Sequence, residues 1–423
     1  MTDIAWIGAA LTSARPRAVA ALLRYFRDLD TAEEAFQEAS FRALKTWPDQ
    51  GPPRDPAAWL VFVGRNFALD EIRRRKRHES LPDELPDDVS TDPQHSGTFV
   101  DRLDDADYRD DVLRLLFICC HPDLPANQQI ALALRIVSGL SVKEIARAFL
   151  VSEAAMEQRI TRAKRRIANA NVPFEAPDAV ERVERLAAVS AMIYLLFNEG
   201  YSASSGTEHI RVSLCDDAIR LARLLLRLFQ REGEVMGLTA LLLLQHARTA
   251  ARLDDDGSIV LLENQQRDRW NHEMIAEGLG LVDKAQRLGR PGPYQLQAAI
   301  ASVHARAQRP AETDWAQIDR LYATLETLTP SPVVTLNRAV AVSKVHGPAA
   351  ALDMIETLAV PLAGYFHFHG VKGGLLAQLG RADEAREAFN RAIALARTVS
   401  EAAHIRGHLD RLASEKSTMQ RSS

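Results

Sequence analysis

Gln158, Thr161, Arg162 and Arg165 recur at helical spacing within the segment 153–167. In a helix that spacing gathers them on one side. Arg and Gln can pair with guanine and adenine edges in a major groove, and Thr can meet a thymine methyl. Met156, Ile160, Ala163 and Ile167 form the opposing apolar stripe. Arg159 and Arg166 flank the polar side and suit phosphate. Residues 143–166 hold seven bases against three acids, a local excess that attracts a polyanion although the whole chain carries a net charge of −4.

Presenting those residues to a duplex requires a short supporting helix and a tight turn. Gly139 breaks the preceding helix and Ser141 can cap the next. Val142 to Phe149 then reads as a short helix with Ile145, Ala146 and Phe149 inward. Leu150-Val151-Ser152 forms the turn, with Ser152 capping the second helix. This is a helix-turn-helix. Leu150 departs from the pattern, because a left-handed turn residue is commonly Gly.

A second basic element lies upstream. The segment 57–77 joins an apolar face carrying Trp59, Phe62 and Phe67 to an end with six bases and two acids between residues 65 and 77. Its aromatics could stack on unpaired bases or pack as core. Pro56 suits its first turn. The preceding loop, 49–55, is excluded from helix by Gly51, Pro52 and Pro53. Before that loop, Ala32–Leu44 is expected to be helical, capped by Asp30 and Thr31 and ending at Trp47-Pro48.

These elements sit in a chain of 423 residues that is 47% apolar but only 6% aromatic, which favours an all-α fold. Four stretches separate: 1–78, a linker at 79–111, 112–172, and a helical extension at 178–415. The linker holds twelve acids and two arginines with Pro82, Pro86 and Pro93, and is expected to be extended or disordered for much of its length. Near 330–410, Gly347-Pro348-Ala349-Ala350-Ala351-Leu352 recurs as Gly380-Arg381-Ala382-Asp383-Glu384-Ala385, a spacing matching tetratricopeptide-like helix pairs. Gly370, Gly373, Gly374 and Gly380 either allow close helix packing there or serve as ordinary turn or cap glycines. Cys119, Cys120 and Cys215 make no disulfide framework. The start has no basic, apolar leader, and the longest apolar block, Leu238–Leu244, is too short to span a bilayer. A cytoplasmic location without membrane contact is expected.

The segments 32–38, 59–70 and 140–146, in this order and with the arginine-rich runs, resemble the extracytoplasmic-function sigma factors. The motifs 196–201, 269–272 and 365–370 resemble the helical extension of one subgroup. The resemblance implies that core RNA polymerase and promoter DNA are partners. It implies that Glu33, Glu34, Phe36, Gln37, Glu38 and Phe41 meet the polymerase. It further implies that Arg54 in the loop, with Arg65, Asn66, Arg73 and Arg74, holds the −10 strand. Gln158, Thr161 and Arg162 would read −35 base edges, and Arg159, Arg165 and Arg166 would hold phosphates. The loop would pocket a flipped base, and the acidic linker would follow the transcript path. The extension is expected to bind a peptide or another part of the chain and so to set activity.

Two other readings compete. A stand-alone helix-turn-helix regulator would bind duplex tightly without polymerase. A metalloenzyme could be seeded by His272-Glu273, His367, His369 or Cys119-Cys120-His121, but none has the spacing of a helical zinc site. No catalytic residue, metal or cofactor is expected.

Overall fold

The structure, a computed structural model, describes residues 5–51, 53–79, 105–149, 151–169, 179–202, 212–252, 254, 260–396 and 399–421. It divides into two compact units, Met1–Leu196 and Phe197–Ser423. The described secondary structure is helical, as expected of an all-α chain. None of the described helices is long and apolar enough to cross a membrane.

The first unit contains α1 (Ala5–Phe26), α2 (Leu29–Gln50), α3 (Pro56–Glu79) and α4 (Asp105–Cys119). It continues with α5 (Ala126–Ala133), α6 (Val142–Ala148) and α7 (Glu153–Asn169). The division between units falls within α8 (Ala179–Ser202), so residues 179–196 of the expected extension group with the first unit. Helices α1, α2 and α3 pack on one another around Leu22, Ala35 and Leu60. Gly64 permits the α2–α3 crossing: a Cβ there would lie 2.7 Å from the Ala35 carbonyl oxygen. Trp47 is buried between Trp6, at 6.2 Å, and Trp59, at 5.4 Å.

Three local expectations are corrected. The cap of α2 is Asp28, whose carboxylate accepts from the Thr31 amide at 2.7 Å, so Asp30 and Thr31 lie inside the first turn. The helix also runs through Pro48 to Gln50. Pro48 is near enough to the end to lose little, and Gly51, at φ 76°, closes the turn by donating to the Trp47 carbonyl. Finally, helix begins at Asp105, inside the stretch expected to be an extended linker. Its apolar side, with Val112, Leu115 and Leu116 buried, packs on α1, and that burial outweighs the acidic composition. Residues 80–104 lie outside the described residues.

The second unit is built around α10 (Gly233–His246), buried from Val235 through Leu244. Such a helix has no polar face and must be enclosed. It packs against α9 (Val212–Leu228), α11 (His272–Gln286) and α12 (Pro293–Arg306). The apolar block noted in the sequence is this core helix. Gly237 lets α12 approach: a Cβ there would be 2.5 Å from the Gln295 nitrogen. Glu234 accepts from the Tyr294 and Gln295 amides at 3.1 and 3.0 Å, capping α12 from another element.

The chain continues through α13 (Trp315–Leu328), α14 (Pro332–His346), α15 (Pro348–Glu356), α16 (Phe366–Gln378), α17 (Ala382–Leu395) and α18 (Val399–Arg421). The repeated glycines are equivalent in structure. Gly347 and Gly380 both have positive φ, 87° and 73°, and each links the two helices of a pair. Close packing belongs to Gly373 alone among the four glycines proposed for it. A Cβ there would sit 2.6 Å from the Phe389 ring, whereas one at Gly374 or Gly380 meets nothing and one at Gly370 makes an ordinary contact.

Candidate nucleic-acid interface

The helix-turn-helix forms as its sequence dictates. Gly139, at φ 78°, ends a π-helical turn, Leu134–Ser138, that follows α5. Ser141 and Glu144 make reciprocal capping bonds, Ser141 N to Glu144 Oε2 at 2.7 Å and Glu144 N to Ser141 Oγ at 3.2 Å. Ser152 Oγ accepts from the Ala155 amide at 3.2 Å and starts α7. Met156, Ile160 and Ala163 are buried and Ile167 is half-buried. Gln158, Thr161, Arg162, Arg165 and Arg166 are exposed on the other side, and Arg159 is half-buried. Leu150, the unusual turn residue, lies outside the described residues.

The upstream basic helix is partly described. Arg54 and Asn66 are exposed, and Asp55 caps α3 by accepting from the Ala57 and Ala58 amides at 2.9 and 3.1 Å. Arg65 is half-buried with its guanidinium 4.8 Å from the Tyr25 ring centre. Trp59 and Phe67 are half-buried; Trp59 packs on Trp47, and Arg42 lies over Phe67 at 5.8 Å. The side chains of Arg73 and Arg74 lie outside the described residues.

The six α2 residues expected to meet a polymerase divide into two sets. Glu34, Gln37 and Phe41 are exposed and Glu38 is half-buried, beside Leu44, which is also exposed. Phe41 is 52% exposed, a large apolar surface on a polar helix face, which suits a docking residue. Phe36 instead faces the core with Arg15 over its ring at 4.7 Å. Glu33 is only 4% exposed and lies in an ion-pair cluster.

That cluster joins the parts of the first unit that precede and follow the acidic stretch. Glu33 Oε1 meets Arg135 Nε at 2.9 Å and Arg15 Nη2 at 3.5 Å, and Glu33 Oε2 meets Lys164 Nζ at 2.9 Å. Lys164 also donates to Asp30 at 2.5 Å. Arg15 donates from Nε to the Ile136 carbonyl at 2.9 Å and from Nη2 to the Arg135 carbonyl at 3.1 Å, filling acceptors at the π-helical turn. Burial lowers the Arg15 pKa to about 10, against the pull of Glu33. Burial opposes the charge of Lys164, yet the bonds and charges of Asp30 and Glu33 raise its pKa overall. Thr161 and Arg165 line a cavity of about 390 Å³ with Asp30, Glu33 and Lys164. Nearby, Asp111 is buried between Arg24, at 3.4 Å, and Arg114, at 3.3 Å.

Arg15, Arg135 and Lys164 were not singled out from the sequence. The partners of Arg15 and Lys164 are up to 134 residues away, and no local periodicity marks such a bond. Cys119 and Cys120 are buried, and burial pushes the Cys120 thiol up to about 12 and Cys119 in the same direction. They pack as core. Among the described residues, no group of three His, Cys, Asp or Glu side chains is placed to hold a metal ion.

The family motifs of the second unit have structural roles. Tyr201 stacks on Phe197, accepts through its carbonyl from Arg252 at 2.9 Å and lies under that guanidinium. Trp270 is buried, and Asn271 caps α11 by accepting from the Met274 amide at 3.0 Å.

Comparison with known proteins agrees with this arrangement. The sigma-70 region 2 family matches residues 11–78 and the sigma-70 region 4 family matches 114–167. A family of unknown function, DUF6596, matches 185–286. The uncharacterized protein R00370 of Rhizobium meliloti (strain 1021) is 66% identical over 420 residues, covering 99% of each chain. The ECF RNA polymerase sigma factor BldN of Streptomyces coelicolor is 34% identical over 142 residues, 33% of this chain and 50% of that protein.

Proposed function

Because the chain belongs to the extracytoplasmic-function sigma factors and carries a C-terminal helical extension, we propose a division of labour among its residues. Glu34, Gln37, Glu38, Phe41 and Leu44 dock on core RNA polymerase. Arg54, Arg65 and Asn66, with Arg73 and Arg74, hold the opened −10 strand. Gln158, Thr161 and Arg162 read the −35 duplex, while Arg159, Arg165 and Arg166 neutralise phosphates. The protein acts in the cytoplasm. The observation that carries the −35 assignment is the two-faced α7, with Met156 and Ile160 buried and Gln158, Thr161 and Arg162 exposed.

The test is transcription by core polymerase with this protein on genomic DNA. Discrete start sites are expected, and transcripts identical to those of core alone would refute the reading. Phe41→Ala should weaken polymerase binding while leaving stability within about 0.5 kcal/mol, since the ring is largely exposed.

We propose further that the extension sets how much of this activity is available. Ending the chain after Leu196, where the first unit closes, should change the transcription rate strongly. An unchanged rate on the same promoters, with and without residues 197–423 added back, would make the extension a passive appendage.

A further inference from the structure

The second unit contains a cavity of about 660 Å³, far from any residue assigned above in sequence. Ile318, Val340, Val371 and Leu375 supply apolar wall, and Trp315 and Tyr322 supply aromatic wall. That size and lining are those of a small-molecule site rather than of a packing defect.

Its charged groups are few and unbalanced. Glu263 and Lys344, on the rim, neutralise each other at 3.0 Å. Among the described residues, Arg267 is ion-paired to no carboxylate. Its Nη1 donates to the His304 and Ala307 carbonyls, which fixes the guanidinium plane, and its buried Nε has no hydrogen-bond partner among the described residues. The nearby Glu312 is already held by Arg309 at 2.6 Å, and Arg248 adds a second positive charge to the neighbourhood. Of the two lining imidazoles, His304 registers that field, while His408 responds to burial and to its own neighbours. His304 is pushed down to about 4 by burial, then Arg248 and Arg267; His408 is pushed down to about 4 by burial, then Arg411 and His404. Both are therefore neutral near pH 7 and do not compete with Arg267 for an anion.

We infer that this cavity binds a small organic carboxylate with an aromatic or branched aliphatic body, its carboxylate on Arg267 and its body against Trp315, Ile318 and Tyr322. A fixed, delocalised guanidinium suits a carboxylate, whose oxygen accepts a charge-assisted N–H bond. A phosphate group would call for several free cations, and Lys344 is engaged elsewhere. The inference concerns the extension by itself and does not depend on the promoter assignment.

Calorimetric titration of the full chain with 3-phenylpropionate and with its uncharged amide tests it. The acid should bind with a Kd below about 1 mM, and the amide at least about tenfold more weakly. Arg267→Gln should cost the acid about tenfold and leave the amide unchanged. Because Arg267 also holds two carbonyls, a second variant is needed. Gly374 lines the cavity and has open space at its Cβ, so Gly374→Leu should fill the cavity without unfolding α16 and abolish binding. Equal binding of acid and amide would overturn the carboxylate assignment. No binding of the acid up to about 10 mM, or binding untouched by Gly374→Leu, would overturn the site. A tetrapeptide ending in phenylalanine that bound about tenfold tighter than 3-phenylpropionate would make the occupant a peptide terminus and overturn the small-molecule assignment.

Discussion

Glu33 and Leu241 are both buried, at 4% and 1% exposure, yet they hold their units together by opposite means. Glu33 is a carboxylate shared by Arg15, Arg135 and Lys164, which come from α1, from the π-helical turn and from α7. Leu241 lies in a helix enclosed by apolar side chains on every side. A charged seam gains little over separated, solvated ions, because each ion must first be desolvated. Apolar burial stabilises by about 25 cal/mol per Å² and has no charge for salt to screen. The Glu33 seam is thus a contact that a polyanion or a polar partner can replace, beside the apolar packing of α4 on α1. The enclosed α10 is released only by unfolding.

The harshest way to break this contrast is Leu241→Asp. An unpaired carboxylate in that core costs several kcal/mol, so the second unit should not fold, and circular dichroism should show loss of its helices. Retention of full helicity would mean that α10 is far less enclosed than described. Glu33→Gln acts on the other side of the comparison. Leaving three cations against a neutral amide should destabilise the first unit by about 3 kcal/mol in denaturant titrations. A loss below about 1 kcal/mol would mean that the pairs behave as solvated surface ions and not as a buried seam.

Smaller effects are expected at the exposed face of α7. Arg162→Ala should cost about 1–3 kcal/mol in promoter binding and relax preference at one base pair. Arg166→Ala should weaken all promoters alike and lower the salt dependence. Identical behaviour across a promoter library would contradict the facing given to α7. The gentlest probe is pH. His304 titrates near 6.5 when unfolded and near 4 when folded, because burial and two arginines disfavour its charge. Between those values the unfolded chain binds the extra proton. The stability contribution is therefore complete above pH 6.5 and lost as pH falls toward 4. His304→Asn should flatten that slope in thermal melts of the extension; an unaltered slope would place the titrating group elsewhere.

Much of the nucleic-acid face was legible because its determinants are local. Ser141, Ser152 and Gly139 act within one turn, and the Met156–Ile160–Ala163 stripe follows from helical periodicity. The ion-pair seam was not legible, since Lys164 and Asp30 are far apart in the chain and look like ordinary surface charges. Composition misled at Asp105–Asp111, where an acidic segment carries the beginning of a helix whose apolar residues pack on α1. Among the extension's glycines, type alone did not separate the turn role of Gly380 from the close approach at Gly373. That difference lies in φ and in what stands opposite, here the Phe389 ring.

The cap that Glu234 places on α12 ties the extension to the order of synthesis. Its partners, Tyr294 and Gln295, leave the ribosome sixty residues after the cap itself. Helix α10 has no solvent-compatible face to wait on, so it cannot settle until Arg306 has emerged. At about 5–20 residues per second, the first unit is complete on the order of ten seconds before its neighbour can fold. Each newly made molecule therefore passes through a brief period as a bare two-region factor, and any restraint the extension imposes starts late in the life of the nascent chain.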